Sequence, residues 1–348
     1  MNEYAVSNKD TNTLEWARNL LADLPDPDES AREAAAARQV QLTKPAGSLG
    51  RLEGLALWLA AWQGKHPPTL DHPHVIVFAG NHGVAAKGVS AYPTDVTAQM
   101  VSNFNNGGAA INALSQYASA DLSVVPIQLE QPTEDFTAAP AMSERELAAA
   151  LDIGRNSIPD ETDLLLLGEM GIGNTTSAAA LACALFGGVP SDWVGAGTGV
   201  DADGISRKRQ AIEDALSFHG DTLADPLDAL RRVGGRELAA IAGACLEARR
   251  RRIPVVLDGY VSTVSAAVLS AFDPSALDHC CIGHVSAEPG HRRLLQRLGK
   301  PALLDLDMRL GEASGAAIAL SIIGAALATH KNMATFAEAG VAGRSNPD

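Results

Sequence analysis

Leu164–Ala180, LLLLGEMGIGNTTSAAA, is the stretch that decides the fold. Four consecutive leucines between Asp163 and Gly168 read as a strand buried on both faces, because a strand with one wet face alternates apolar and polar residues. The alanine-rich run from Ser177 onward reads as a helix packed close to a sheet. Between them Gly168, Gly171 and Gly173 build a tight turn, and Asn174, Thr175 and Thr176 stand where they can cap the helix. Free N–H groups at a helix start attract anions. Glu169 shares that turn, and a carboxylate beside an anion site needs a task such as orienting a polar or cationic part of the ligand. Purely structural glycine turns of this kind are commoner than ligand sites, so the rest of the chain has to separate the two.

Working outward, short β-rich runs recur at Val75–Ala79, Leu122–Leu129, Leu164–Leu167, Trp193–Ala196, Val255–Leu257, Cys280–Gly283 and Leu303–Leu306. Polar residues and then helix-forming sequence follow them. Strands alternating with helices mean crossover units, hence an α/β fold with a mainly parallel sheet covered by helices on both faces. Ligands of such sheets bind beyond the carboxyl ends of the strands, where the unusual polar residues of this chain gather. Residues 12–62 read as helical and precede the sheet. Leu14, Ala17, Leu20 and Leu21 make one apolar face, and Ala31–Val40 is rich in helix formers. The turn Thr43–Leu52, TKPAGSLGRL, carries Lys44, Ser48 and Arg51, which either reach toward a site or are solvated. SERE at Ser143–Glu146 has the pattern of a capping box.

The 348 residues are 46% hydrophobic, enough for a substantial core, and carry a formal charge of −14. That charge argues against a nucleic-acid or anionic-membrane partner, which clustered positive charge would bind. The basic cluster Arg249–Arg252 reads as a solvated helix end. The N-terminus lacks a signal-peptide apolar core, and the run Gly315–Ala328 is too short for a bilayer span, so a cytoplasmic location is expected. Four cysteines without CxxC spacing make no disulfide framework and suit a reducing compartment.

The common nucleotide and hydrolase fingerprints are missing: there is no GxxxxGK[ST], HExxH or GxSxG, and Gly195, Gly197 and Gly199 lack dinucleotide spacing. Cys280 and Cys281 point to opposite faces of a strand, so no metal site is read from His279, Cys280, Cys281, His284 and His291. What remains is the glutamate pair Glu169 and Glu312, the basic run Arg207–Arg209, and the glycine turns Gly171–Thr176 and His284–Gly290. Lys208 can be a ligand contact or a solvated lysine. Glu312, at the mouth of an apolar helix, can be a simple helix-start residue or a base whose pKa desolvation raises. Together these parts describe a pocket for a phosphorylated, partly aromatic small molecule, with a carboxylate base and neither metal nor cofactor.

KPAGSLGRLE (Lys44–Glu53), FAGNHGV (Phe78–Val84), GVSAYP (Gly88–Pro93), GEMGIGNTT (Gly168–Thr176), GTGVD (Gly197–Asp201), DGYVS (Asp258–Ser262), GHVSAEPGH (Gly283–His291) and LDLDMRLGEASGAA (Leu304–Ala317) occur in this order. Over about residues 30–335 the chain thereby resembles the nicotinate-nucleotide:dimethylbenzimidazole phosphoribosyltransferase (CobT) family of cobalamin lower-ligand assembly. The resemblance implies a doubly wound large domain at 71–320, a small helical domain built from 1–70 and 321–348, and a homodimer. It implies transfer of phosphoribose from nicotinate mononucleotide to 5,6-dimethylbenzimidazole, with Glu312 as catalytic base and Glu169 in support. Phosphate and ribose contacts fall on Gly171, Gly173, Asn174, Lys208 and Ser286, and the base pocket on Ser90, Tyr92, Gln99 and Leu310. Asn81 and Ala196 depart from the Asp and Arg that many members carry. A non-catalytic phosphoribosyl-nucleotide-binding regulatory protein of the same fold is the alternative reading, and it would not need Glu312.

Overall fold

The leucine run forms a strand, Leu164–Met170, in which Leu164, Leu165, Leu166 and Leu167 are all fully shielded from water. The computed structural model describes residues 10–343. Its six strands are β1 (Pro73–Ala79), β2 (Asp121–Pro126), β3 (Leu164–Met170), β4 (Val255–Leu257), β5 (Cys280–Val285) and β6 (Ala302–Asp305). They form one sheet in the order β2-β1-β3-β4-β5-β6, and every pairing is parallel. β3 lies near the centre, and its side chains divide by parity. Leu165 and Leu167 enter one apolar cluster with Ile76, Phe78, Val255 and Leu257, whereas Leu164 and Leu166 enter a second with Val75, Val77 and Val256. A sheet covered twice needs both faces apolar, which is why the run does not alternate.

The first face is covered by helices that include Glu144–Asn156, Asn174–Phe186, Arg236–Arg250 and Tyr260–Ser270. The second lies under Arg51–Gln63, the end of Asp95–Asn105, Ala110–Tyr117 and Ser314–Asn332. Ser314–Asn332 is long and apolar enough by composition to cross a membrane, yet over half of it is buried inside the protein as a core helix. Near its end this helix meets the last turn of the helix Glu29–Gln41 and the segment that follows it. Arg38 Nε donates to the His330 carbonyl at 2.7 Å, Gln39 pairs with His330 at 2.9 Å, and Leu42 forms an isolated antiparallel bridge with Thr335.

Two expectations need correction. Trp193–Ala196 is not a strand but a loop after the short 3-10 turn Pro190–Asp192. Two of its carbonyls are taken by side chains, Trp193 O by the Tyr260 hydroxyl and Gly195 O by Lys208, and the Trp193 indole donates to Gly187 O. Apolarity there reflects burial of the indole rather than a ladder. The basic run 249–252 is not simply a solvated helix end either. Arg249 is buried, stacks 4.3 Å from the Trp62 ring centroid, and donates to Ser275 O. Arg251 donates to the carbonyls of Ile158 and Pro159.

Close packing of Ser314–Asn332 on the sheet depends on Gly168. A Cβ there would overlap the backbone nitrogen and Cα of Ala313, groups that cannot swing aside. Gly168→Ala should therefore lower the unfolding free energy by about 1–3 kcal/mol, the usual range for overpacking, measured by denaturant titration. A stability within about 0.5 kcal/mol of the parent would show that the helix start gives way freely.

Candidate active site

β3 ends at Met170, and Gly171, Ile172 and Gly173 lead into the helix Asn174–Phe186. Gly173 has φ 96°, a left-handed backbone that would cost a side-chain-bearing residue roughly 1–2 kcal/mol. Thr97 steadies the turn, its hydroxyl accepting from Ile172 N–H at 3.2 Å. Gly171, Gly173, Asn174 and Thr175 wall a small cleft together with Ser90, Thr198 and Lys208. Lys208 is only 2% exposed, so the solvated alternative fails. Its Nζ donates to Thr175 Oγ1 at 2.9 Å and to Gly195 O at 3.2 Å, leaving a third N–H. Burial holds the ammonium pKa below its ordinary value, and the negative charge of Glu288 opposes that shift. Glu288 also accepts from Gly197 N–H at 2.6 Å, which fastens the turn after β5 to the wall of the cleft. A buried ammonium beside a helix start is an anion site.

Beside the cleft three carboxylates converge on the carboxyl ends of β3 and β4. Glu169 accepts from the Asn174 side-chain amide, and its backbone carbonyl accepts from Glu312 N–H at 3.1 Å. Asp258, just past β4, accepts from Gly315 and Ala316 N–H at 2.7 and 2.9 Å and so caps the Ser314–Asn332 helix from across the sheet. Gly311, Glu312 and Ala313 have φ 86°, 61° and 62°, three left-handed residues in a row. Strain of this kind persists only where surrounding structure enforces it. Glu312 is 4% exposed and its Oε2 lacks a partner among the described residues. Burial, then the charge of Asp258, pushes its carboxyl up to about 7. Glu169 is pushed to about 8 by burial, Asp258 and Glu237, against the Asn174 hydrogen bond, with Glu312 adding a smaller upward push. Glu312 can exchange a proton near neutrality, while Glu169 mostly keeps its own.

A family profile described as phosphoribosyltransferase matches residues 24–341. A nicotinate-nucleotide–dimethylbenzimidazole phosphoribosyltransferase of Rhizobium etli is 56% identical over 327 residues, 94% of this chain and 96% of its own. One of the same name from Cereibacter sphaeroides is 56% identical over 330 residues, 95% and 98% of the two chains. The solved structure of CobT from Thermus thermophilus, 44% identical, superposes with a TM-score of 0.83 over 90% of this chain and 99% of that one. The chain belongs to the nicotinate-nucleotide–dimethylbenzimidazole phosphoribosyltransferase family.

Among the residues expected from that family's motifs, Glu169, Gly171, Gly173, Asn174, Lys208, Glu312 and Ser90 gather at or beside the cleft. Asn174 is the link, since it walls the cleft and holds Glu169. Ser286 lies in the buried turn after β5, donating its N–H to His291 Nδ1 at 2.9 Å, and is outside the cleft lining. Tyr92 and Gln99 are exposed and also outside it, and Leu310 is half exposed, two residues before Glu312. The sequence reading gave no role to Asp258, Glu288, His82 or Glu237. A carboxylate directly after an apolar strand was a usable signal for Asp258, and His82 and Glu288 stand inside the FAGNHGV and GHVSAEPGH motifs, whereas nothing local marks Glu237. Away from this edge, Cys245, His279 and Cys280 bring ligand atoms within 4.8 Å of one another, with His279 Nε2 committed to Cys245 O at 2.9 Å.

The raised carboxyls fix a sign for stability. In the unfolded chain Glu169 ionises near its ordinary 4.5, but in the folded protein it resists until about 8, so stability falls as pH rises through that window. Glu169→Gln removes the penalty. It should match the parent in unfolding free energy near pH 4 and exceed it by about 3–5 kcal/mol at pH 8.5, by denaturant titration at both values. An equal difference at the two would refute the raised pKa.

Proposed function

We propose that this chain transfers phosphoribose from nicotinate mononucleotide to 5,6-dimethylbenzimidazole, releasing nicotinate and giving α-ribazole 5′-phosphate for the nucleotide loop of cobalamin. The observation that carries the reading is the contiguity of the anion cleft with a near-neutral base. Asn174 walls the cleft and holds Glu169, whose carbonyl holds Glu312. Nicotinate mononucleotide carries a cationic pyridinium on its anomeric carbon, so the bond breaks to a neutral ring nitrogen without acid assistance. Benzimidazole attacks through its lone-pair nitrogen and must lose the proton from the other, or the product is left cationic. Glu312 takes that proton through Oε2, which has no partner among the described residues and is carried on the strained turn. Lys208 and the helix start hold the phosphate, so that donor and acceptor meet in fixed geometry. The same reading carries a homodimer working in the cytoplasm.

The direct test incubates the protein with nicotinate mononucleotide and dimethylbenzimidazole and follows both products by chromatography. Nicotinate should appear only with the base present and in equal amount with α-ribazole 5′-phosphate. Release without the base would make the protein a hydrolase.

Lys208→Ala should weaken nicotinate mononucleotide by about 1.5–3 kcal/mol, one charge-assisted hydrogen bond, and leave dimethylbenzimidazole affinity nearly unchanged. Calorimetry with each ligand decides, and equal losses for both would remove Lys208 from the phosphate site.

Glu312→Gln keeps size and part of the hydrogen bonding but cannot accept a proton. Turnover should drop by about 10²–10⁴-fold with base affinity little changed. In the parent, turnover should climb as pH rises through about 7, where Glu312 ionises. Near-parental turnover in the variant would move the base role elsewhere.

A further inference from the structure

Beneath the anion cleft lies a buried chain of three side chains that the proposed chemistry does not use. Ser177 Oγ is 2.9 Å from His82 Nδ1, and His82 Nε2 is 2.5 Å from Glu237 Oε1. All three residues are at most 1% exposed. The order serine, imidazole, carboxylate is that of a nucleophilic triad. Burial forbids that chemistry, since no substrate reaches the hydroxyl. The three residues instead come from three elements that have to be aligned. Ser177 is in the first turn of Asn174–Phe186, the helix whose start walls the cleft. Glu237 is in the first turn of Arg236–Arg250, where a carboxylate is favoured by the helix dipole. His82 follows β1, whose end is tied to β3 by Gly80 N–H donating to Met170 O at 3.0 Å.

The packing around this chain admits little play. A Cβ on Gly171, in the cleft wall, would come within 2.8 Å of Glu237 Oε1 and 2.7 Å of Gly80 O. A Cβ on Gly235 would overlap His82 Cε1 and stand 3.0 Å from Glu237 Oε2. The imidazole therefore sits wedged between the turn that receives the anion and the helix behind it, hydrogen bonded at both ends. The tautomer with the proton on Nε2 satisfies both hydrogen bonds: Nε2–H donates to Glu237 Oε1 and Nδ1 accepts from the Ser177 hydroxyl.

We propose that His82 is a positioning residue for the phosphate-bearing donor: by joining Ser177 to Glu237 it sets Gly171–Thr175 against Lys208. The proposal rests on the phosphoribosyl-transfer reading only for the identity of the phosphate compound. It assigns a hydrogen-bonded wedge that acts on one of the two substrates.

Two variants cut the chain at different ends. Ser177→Ala removes one hydroxyl at a position where alanine suits the helix, and His82→Gln keeps a donor near Nε2 but loses the link to Ser177. Each should raise KM for nicotinate mononucleotide about five- to tenfold, the size expected for one lost hydrogen bond, with KM for dimethylbenzimidazole and kcat within twofold of the parent. The double variant should be no worse than His82→Gln alone, because both cut the same link. A merely structural role would lower the unfolding temperature and shift both KM values or kcat together, and that result overturns the proposal. Unchanged KM values in Ser177→Ala overturn it as well, and this variant stands by itself should His82→Gln fail to fold. Calorimetry with inorganic phosphate separates the two layers of inference. If the parent makes no nicotinate but phosphate binds it about five- to tenfold more tightly than Ser177→Ala, the functional reading falls and the wedge stands.

Discussion

One carboxylate holds the reactive edge in place. Asp258 receives the first N–H groups of the Ser314–Asn332 helix and thereby draws that helix start over the ends of β3 and β4. A charge buried this deeply costs several kcal/mol unless it finds donors, and a helix start supplies them ready aligned. The approach is feasible because Gly168 has no side chain to oppose Ala313. The chain leading into the helix is then left with little choice but a left-handed path through Gly311, Glu312 and Ala313, which delivers the Glu312 carboxyl to the strand ends.

The same arrangement explains why the site is electrostatically uncomfortable. Glu169, Asp258, Glu237 and Glu312 share a region that water barely reaches: Asp258 makes both Glu169 and Glu312 harder to ionise, and Glu237 and Glu312 add to the push on Glu169. In water a carboxylate is too weak a base to take a proton near neutrality. Here crowding and burial bring it to the right range, at the expense of folding free energy. On the other side of Asn174, the buried Lys208 supplies the opposite polarity for an anion. A ligand with a negative phosphate and a positive ring matches this division of charge.

The sheet was legible because a strand buried twice has an unmistakable composition, and the parity of Leu164–Leu167 maps directly onto the two cores. Glu169 and Lys208 were legible in part, as polar residues in a glycine turn and beside one. Trp193–Ala196 misled because burial of a large indole produces the same apolar signature as a strand. Arg249 misled because its partners, Trp62 and Ser275, lie far away in sequence. His82 and Glu237 meet across 155 positions, and Asp258 reaches Gly315 across 57. Such pairs exist only once the sheet has brought its strand ends together, so local pattern carries no trace of them.

The Ser314–Asn332 helix also sets a timetable. It covers the core face formed by Val75, Val77, Leu164, Leu166 and Val256, yet begins at residue 314 of a 348-residue chain. On the ribosome these strands are made long before their lid, and the N-terminal helices that join its far end must wait as well. A nascent or prematurely terminated chain therefore displays an apolar stripe along the middle of the sheet, the kind of surface that chaperones hold and that aggregates when they do not. The residue that delivers the base and the helix that hides this stripe are adjacent in sequence, Glu312 beside Ser314–Asn332, so they leave the ribosome together and well after the strands they serve.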